Sequence, residues 1–269
     1  MQISGRTLPP RRVEINRDGS RHPPLGDARC QSRGQRIMLC WPEMAGLFIT
    51  FEGLDGSGKS THLKRAAAWL AARGIACCAT HEPGGTPLGN AVRQVFLDPR
   101  WGQMDGVVEL LLVFASRRQH LLEVIEPALA AGIHVLCDRF TDSTLAYQGY
   151  GRGVPRERID AIDQIATGGR RPDRTLLFDL PAEQARERGH SPRRQGRGGA
   201  DRLDAEGLAF YGRVREGFLA LAAGDPGRFH LVDSSRGPSD TFAQVEAALA
   251  EILERHAGGR EVRAREVPA

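Results

Sequence analysis

Phe48-Ile49-Thr50-Phe51-Glu52-Gly53-Leu54-Asp55-Gly56-Ser57-Gly58-Lys59-Ser60-Thr61 passes from an apolar run through a glycine turn into helix-forming sequence. Its centre, Gly53-x4-Gly58-Lys59-Ser60, meets every fixed position of the phosphate-binding pattern G-x-x-x-x-G-K-[ST]. Leu47 to Phe51 reads as a buried strand and Thr61 to Ala72 as a helix, so the pattern sits in the context that gives it meaning. Several backbone N–H groups converge on one phosphate only where side chains leave room, which explains Gly53, Gly56 and Gly58. The helix start adds unpaired N–H groups and a positive dipole end. Lys59 suits the β- and γ-phosphates, and the Ser60 hydroxyl suits magnesium. Of the 37 Lys+Arg residues only Lys59 and Lys64 are lysines, so a compact ammonium at Lys59 reads as a requirement of the site.

The 269 residues, 41% of them hydrophobic, suffice for one large α/β domain with a sizeable core. No apolar run approaches the roughly 20 residues of a membrane span, which predicts a soluble protein with no membrane partner. Cys30, Cys40, Cys77, Cys78 and Cys137 are odd in number and show no C-x-x-C spacing, which fits a reducing cytoplasm. Residues 1–45 hold eight arginines against Glu14, Asp18, Asp27 and Glu43, a net +4 equal to that of the whole chain. The remainder is therefore neutral, and the basic balance is no argument for nucleic-acid binding.

Residues 1–45 are rich in Arg, Pro, Gly and Ser without hydrophobic periodicity, which predicts a disordered basic extension. An Arg-rich targeting peptide is the rival reading, weakened by the acidic residues, and Met44 stands where a shorter chain would start. The domain is expected over residues 46–256, with a disordered tail over 257–269. Its further strands are expected at Ile75 to Thr80, Ile133 to Cys137, Asp173 to Leu180 and Phe229 to Val232. Helices are expected at Arg93 to Leu97, Glu109 to Ala131 with a kink at Pro127, Pro155 to Thr167, Leu203 to Ala223 and Ser239 to His256. Alternating strands and helices predict a parallel five-stranded sheet with helices on both faces and ligands at the carboxyl ends of its strands. On that scheme Asp138, closing the third strand, comes beside the phosphate loop, where it would hold magnesium directly or through water.

Six arginines among glycines between Arg186 and Arg202 do not pack as core. An RNA-binding tract is one reading, but no aromatic residue is interleaved for bases to stack on. A short lid that brings guanidiniums to phosphates fits better.

Together with Glu82-Pro83-Gly84-Gly85-Thr86, Asp138-Arg139-Phe140, Asp142-Ser143-Thr144-Leu145-Ala146-Tyr147-Gln148-Gly149 and Arg197-Gly198-x-x-Asp201-Arg202, the phosphate loop resembles bacterial thymidylate kinase over about residues 46–256. The resemblance implies a P-loop NTPase-like fold, transfer of the γ-phosphoryl of ATP to dTMP with Mg2+, and a homodimer. It implies that Gly53, Leu54, Asp55, Gly56, Ser57, Gly58, Lys59, Ser60 and Thr61 hold ATP, with Ser60 and Asp138 serving the metal. Asp55 would bind the dTMP 3′-hydroxyl. Arg93 and Arg139 would position thymidylate and its phosphate, Arg117, Thr144 and Gln148 would contact thymine and sugar, and Glu82 would lie near the acceptor phosphate and metal.

Two departures from the family pattern stand out. Where the family usually has a phenylalanine stacked on the base, this chain has Val113 beside Phe114; either Phe114 substitutes, or thymine packs on an aliphatic wall. Some thymidylate kinases carry an arginine just after the loop aspartate, where this chain has Gly56, so Arg197 in the lid is implied as the catalytic arginine, with Arg193 and Arg194 as rivals. Independently of family, the residues point to a small-molecule kinase. Another nucleoside monophosphate kinase, for UMP, CMP or AMP, is the enzyme alternative. A regulatory or transport ATPase is the other, and it lacks support from an N-K-x-D or L-S-G-G-Q motif.

Overall fold

The computed structural model describes residues 46–189 and 201–265. The expected extension over 1–45, most of the arginine-rich stretch with Arg193, Arg194 and Arg197, and residues 266–269 lie outside the described residues.

Five strands form one sheet: β1 (Phe48–Gly53), β2 (Cys77–His81), β3 (His134–Asp138), β4 (Arg174–Asp179) and β5 (Phe229–Asp233). All neighbours run parallel in the order β2-β3-β1-β4-β5. The helices are α1 (Lys59–Ala71), α2 (Pro87–Leu97), α3 (Gly106–His120), α4 (Glu126–Ala130), α5 (Thr141–Thr144), α6 (Arg156–Thr167), α7 (Ala182–Gly189), α8 (Leu208–Gly224) and α9 (Pro238–Arg265). This is the P-loop NTPase-like α/β architecture that the alternation of strand and helix predicts.

Every residue of β1 is buried, as a central parallel strand covered on both faces requires. Ile49 and Phe51 join Leu63, Leu70, Phe178, Val245 and Leu249 on one face, whereas Phe48 joins Leu121, Ile125, Val135 and Phe140 on the other. Each such side chain contributes about 1.5–3 kcal/mol when fully buried. The strand order decides the site, because β1 lies between β3 and β4 and pairs Phe51 with Asp138. The loop after β1 and the end of β3 therefore share one crevice.

Several expectations shift. The helix expected over Glu109 to Ala131 is two helices joined by a π turn at Leu121–Ile125, so the wide turn precedes Pro127, which sits in the first turn of α4 where its missing N–H costs little. Thr141 to Gly151 is helical, as α5 and a second π segment at Leu145–Gly151. Residues 186–189, expected within the lid, are the last turn of α7, and Arg202, expected at its other end, is buried. A 3₁₀ turn at Arg202–Ala205, with a reciprocal cap between Asp201 and Asp204, precedes α8. The last helix continues to Arg265, well into the expected tail. Among the described residues no helix is long and apolar enough to cross a membrane.

Candidate active site

The loop from Gly53 to Gly58 has positive φ at Gly53, Gly56 and Gly58. Gly56 packs on α7 so closely that a Cβ there would lie 2.2 Å from the Ala185 carbonyl oxygen. Any side chain at this position would displace the loop or the helix. Lys59 opens α1, buried, with Nζ donating to the Leu54 carbonyl at 2.7 Å. Burial, then the charge of Arg139, lowers its pKa to about 8. Ser60 follows, and its Oγ donates to the Asp138 carboxylate. Two hard oxygen donors beside a phosphate loop fit Mg2+, which takes one or two protein oxygens and fills its remaining sites from phosphate and water. Among the described residues no cluster of three His, Cys, Asp or Glu side chains forms a metal cage of its own.

Arg139, directly after β3, has φ 72, a left-handed conformation uncommon outside glycine. Both terminal nitrogens of its guanidinium have partners. Nη1 donates to the Gly53 carbonyl at 3.1 Å and Ser143 Oγ at 2.8 Å, while Nη2 lies 3.1 Å from the Tyr147 hydroxyl and 3.0 Å from Asp55 Oδ1. Glu52, fully buried on β1, holds the turn from below by accepting from Phe140 N at 2.7 Å and Ser143 Oγ at 2.5 Å. Burial, with the Asp142 charge added, raises the Glu52 pKa to about 8.

Two cavities meet at this point. One is bounded by Lys59, Ser60, Lys64, Asp138 and the Thr80–Glu82 strand end. The other is bounded by Pro83, Phe96, Leu97, Val113, Arg117, Thr144, Tyr147, Gln148, Asp201 and Leu203. Asp55, Glu82, Arg93 and Arg139 belong to both. The second cavity sets an apolar wall of Phe96, Leu97, Val113 and Leu203 against charged and polar groups, as a nucleoside site requires. Arg93, half-exposed at its rim, donates to the Pro83 carbonyl at 3.0 Å.

Arg117 is almost wholly buried between the rings of Phe114 and Phe140, 4.7 and 4.8 Å from their centroids. Nε donates to Glu82 Oε2 at 2.7 Å and Nη2 to Thr144 Oγ1 at 3.0 Å. The other Glu82 oxygen accepts from His120 Nδ1 at 2.9 Å, and His120 Nε2 meets Thr80 Oγ1 at 2.6 Å. The resemblance implies Glu82 near the acceptor phosphate and metal; it borders the cavity of Lys59, Ser60 and Asp138, and its two carboxylate oxygens hold Arg117 and His120 of α3 directly. Gly85 lies against His120, with no room for a Cβ, so the Glu82–Gly85 loop fits the helix face by its bare backbone.

Of the two alternatives at this position, aliphatic Val113 lines the cavity and the Phe114 ring does not; Phe114 packs with Leu110, Leu145 and Ile159. Phe96 on α2 and Tyr147 are the rings that border the cavity. Sequence reasoning missed Phe96, Tyr147 and Glu52. Tyr147 and Glu52 carried a signal, their places within the Asp142 to Gly149 motif and the stretch that leads into the phosphate loop. Also missed is a depression on the other side of the loop, bounded by Gly58, Thr61, His62, Arg188 and Ser234–Pro238. There Arg188 donates to the Ser234 carbonyl at 2.8 Å, and Ser234 Oγ donates to the Ser57 carbonyl at 2.5 Å.

A parallel sheet that delivers a glycine-rich loop, its lysine and a strand-end aspartate to one crevice defines a P-loop nucleotide-binding protein. The family model for thymidylate kinase matches residues 51–245. The thymidylate kinases of Pseudomonas syringae pv. tomato and Pseudomonas savastanoi pv. phaseolicola are 49% and 48% identical over 215 residues, which is 80% of this chain and 100% of each relative. That of Desulfovibrio desulfuricans is 48% identical over 79% of this chain and 99% of its own length. The chain belongs to the thymidylate kinase family.

Proposed function

We propose that the protein transfers the γ-phosphoryl group of ATP to dTMP, giving ADP and dTDP, in a cytoplasmic route to a deoxynucleoside triphosphate. The single observation that carries this reading is the merging of the two cavities at Asp55, Arg93 and Arg139. A monophosphate in the second cavity would meet a triphosphate on the loop there, with two guanidiniums at the junction. Lys59, Ser60, Thr61 and the loop from Gly53 to Gly58 hold the ATP phosphates, and the depression at Arg188 and Ser234–Pro238 takes the adenosine. Mg2+, held through Ser60 and Asp138, neutralises charge on the β- and γ-phosphates when bound. Arg139 and Arg93 hold the acceptor phosphate, and Asp55, which pairs with Arg139, takes the sugar 3′-hydroxyl. Arg117, Thr144 and Gln148 face the base, with Val113 and Phe96 as its apolar wall. Glu82 serves by holding Arg117. Arg197, outside the described residues, remains the arginine assigned to the transferring phosphoryl group.

A coupled assay of ADP formation across dTMP, dUMP, UMP, CMP and AMP tests this reading. We expect dTMP to have the highest kcat/KM, with dUMP the next, because one methyl group is worth only about 1–3 kcal/mol. A preference for CMP or AMP, or hydrolysis with no transfer, overturns it.

A homodimer is part of the same proposal. Val108, Leu111 and Leu122, along α3 and its continuation, are exposed apolar side chains, as is Ile165 of α6, the helix that packs on α3. Light scattering is expected to give twice the chain mass, and Leu111→Arg to give the monomer.

A further inference from the structure

We infer that Glu109, which does not line the acceptor cavity, decides which pyrimidine ring that cavity reads, by fixing the amide of Gln148. The inference deepens the proposed function and rests on it for the assignment of the cavity to the nucleobase.

Glu109 lies in the first turn of α3 and is fully buried. Its Oε1 accepts from Arg202 Nη1 at 2.7 Å and Arg152 Nε at 3.1 Å. Arg152 Nη1 in turn pairs with Glu206 at 2.6 Å, so two carboxylates and two guanidiniums balance. A carboxylate so placed is an acceptor only. The Gln148 side-chain atom lying 2.8 Å from Glu109 Oε2 must then be the amide nitrogen, a choice that coordinates alone leave open for an amide. Gln148 Oε1 is left as the polar atom this side chain offers to the cavity it lines.

The same cavity holds Arg117, whose Nη1 is buried and makes no hydrogen bond among the described residues. Of the side chains assigned to the base, Gln148 thus offers an acceptor and Arg117 a donor, and the Thr144 hydroxyl, which accepts from Arg117 Nη2, favours neither polarity. A thymine or uracil ring carries N3–H next to the O4 acceptor and satisfies both. Cytosine carries an unprotonated N3 next to an amino donor and opposes both. A site built to pair with one polarity leaves its own buried groups unpaired against the other, and such sites discriminate by about 10⁴ or more. Glutamine at position 109 would face Gln148 amide to amide. Two amides pair in either sense, so Gln148 would then present oxygen or nitrogen.

The test uses the full chain and compares kcat/KM for dTMP and dCMP, with melting temperature recorded for each variant. Glu109→Gln is expected to lower the dTMP/dCMP ratio at least about 10-fold, more through KM for dTMP than through kcat. Glu109→Asp keeps the charge opposite Arg152 and Arg202 but shortens the reach to Gln148; it is expected to lower the ratio as well, and it decides the matter if Glu109→Gln fails to fold. In a Gln148→Leu background, adding Glu109→Gln is expected to leave the ratio within twofold of Gln148→Leu alone, although the melting temperature falls in both. A ratio that both Glu109 variants keep within twofold of the unmodified chain, or that falls equally in the two backgrounds, overturns the inference. A chain that prefers dTMP and yet gives either result sinks this inference alone; a chain that does not use dTMP sinks the proposed function and this inference with it.

Discussion

Arg139 and Asp55 form an ion pair of 3.0 Å at the junction of the two cavities, one arriving from β3 and the other from the loop after β1. The pair is aligned by two further contacts, since Tyr147 donates to Asp55 at 3.0 Å and lies against Arg139 at 3.1 Å. A planar fork can address Gly53, Ser143, Tyr147 and Asp55 together, and an ammonium cannot. Arg139→Lys is therefore expected to reduce kcat/KM for dTMP by about 100-fold or more, with the melting temperature lowered only modestly. Steady-state kinetics at saturating ATP check this, and activity within tenfold of the unmodified chain refutes it.

The wall of the acceptor cavity yields a second prediction. Phe96 borders the cavity while Phe114 sits behind it under Arg117. Phe96→Ala is expected to raise the dTMP Kd by about 10-fold, at the low end of what a base gains from an aromatic neighbour, without abolishing folding. Phe114→Ala is expected to cost stability first, about 3–5 kcal/mol as for other buried rings. Val113→Phe, which adds a further ring to the wall, is expected to change dTMP affinity by more than it changes stability. Calorimetric titration with dTMP, beside thermal unfolding, separates the three; a Phe114→Ala protein that is stable and yet fails to bind would reverse the assignment.

Glu52 makes stability depend on pH in a direction that can be worked out. Its folded pKa of about 8 lies above the ordinary 4.5, chiefly through burial. Its contribution to stability is thus complete below about pH 4.5 and is lost as pH rises towards 8. Glu52→Gln mimics the neutral acid and does not titrate. The stability of Glu52→Gln relative to the unmodified chain, measured by denaturant unfolding, should therefore rise between pH 5.5 and pH 8.5 by an amount on the order of a few kcal/mol. A difference that stays flat over that range would mean that Glu52 is already ionised at pH 5.5.

The contact between Gly56 and α7 bears on where the catalytic arginine is mounted. A Cβ at position 56 would lie 2.2 Å from the Ala185 carbonyl oxygen, so this loop has no space for an arginine of its own. The charge must come from elsewhere in the chain, and the motif around Arg197 is the sequence candidate. Arg197→Ala is expected to lower kcat by about 1000-fold or more with little change in the KM for dTMP. Arg193→Ala and Arg194→Ala serve as comparisons; collapse of either, with more than a tenth of kcat kept in Arg197→Ala, would move the role.

The phosphate loop is fully legible in the amino-acid sequence, because its chemistry is local: glycines for bare backbone, then lysine and serine at the helix start within a few residues of one another. The same holds for the parallel sheet, since strands of Val, Leu and Phe separated by amphipathic helices leave few ways to bury both faces. Asp138 is legible too, given a third strand that lies next to β1. Glu109, Glu52 and Phe96 are not. The two carboxylates draw their meaning from partners far along the chain, Glu109 from Gln148 and Arg202, Glu52 from Phe140 and Ser143, just as the hold of Glu82 on Arg117 and His120 is visible only in the folded chain. A buried carboxylate looks in sequence like any surface one, and only packing removes the water that would otherwise satisfy it. The choice between Val113 and Phe114 likewise turns on the rotation of α3 against its neighbours, a quantity that helical periodicity leaves free and that close packing of side chains between helices decides.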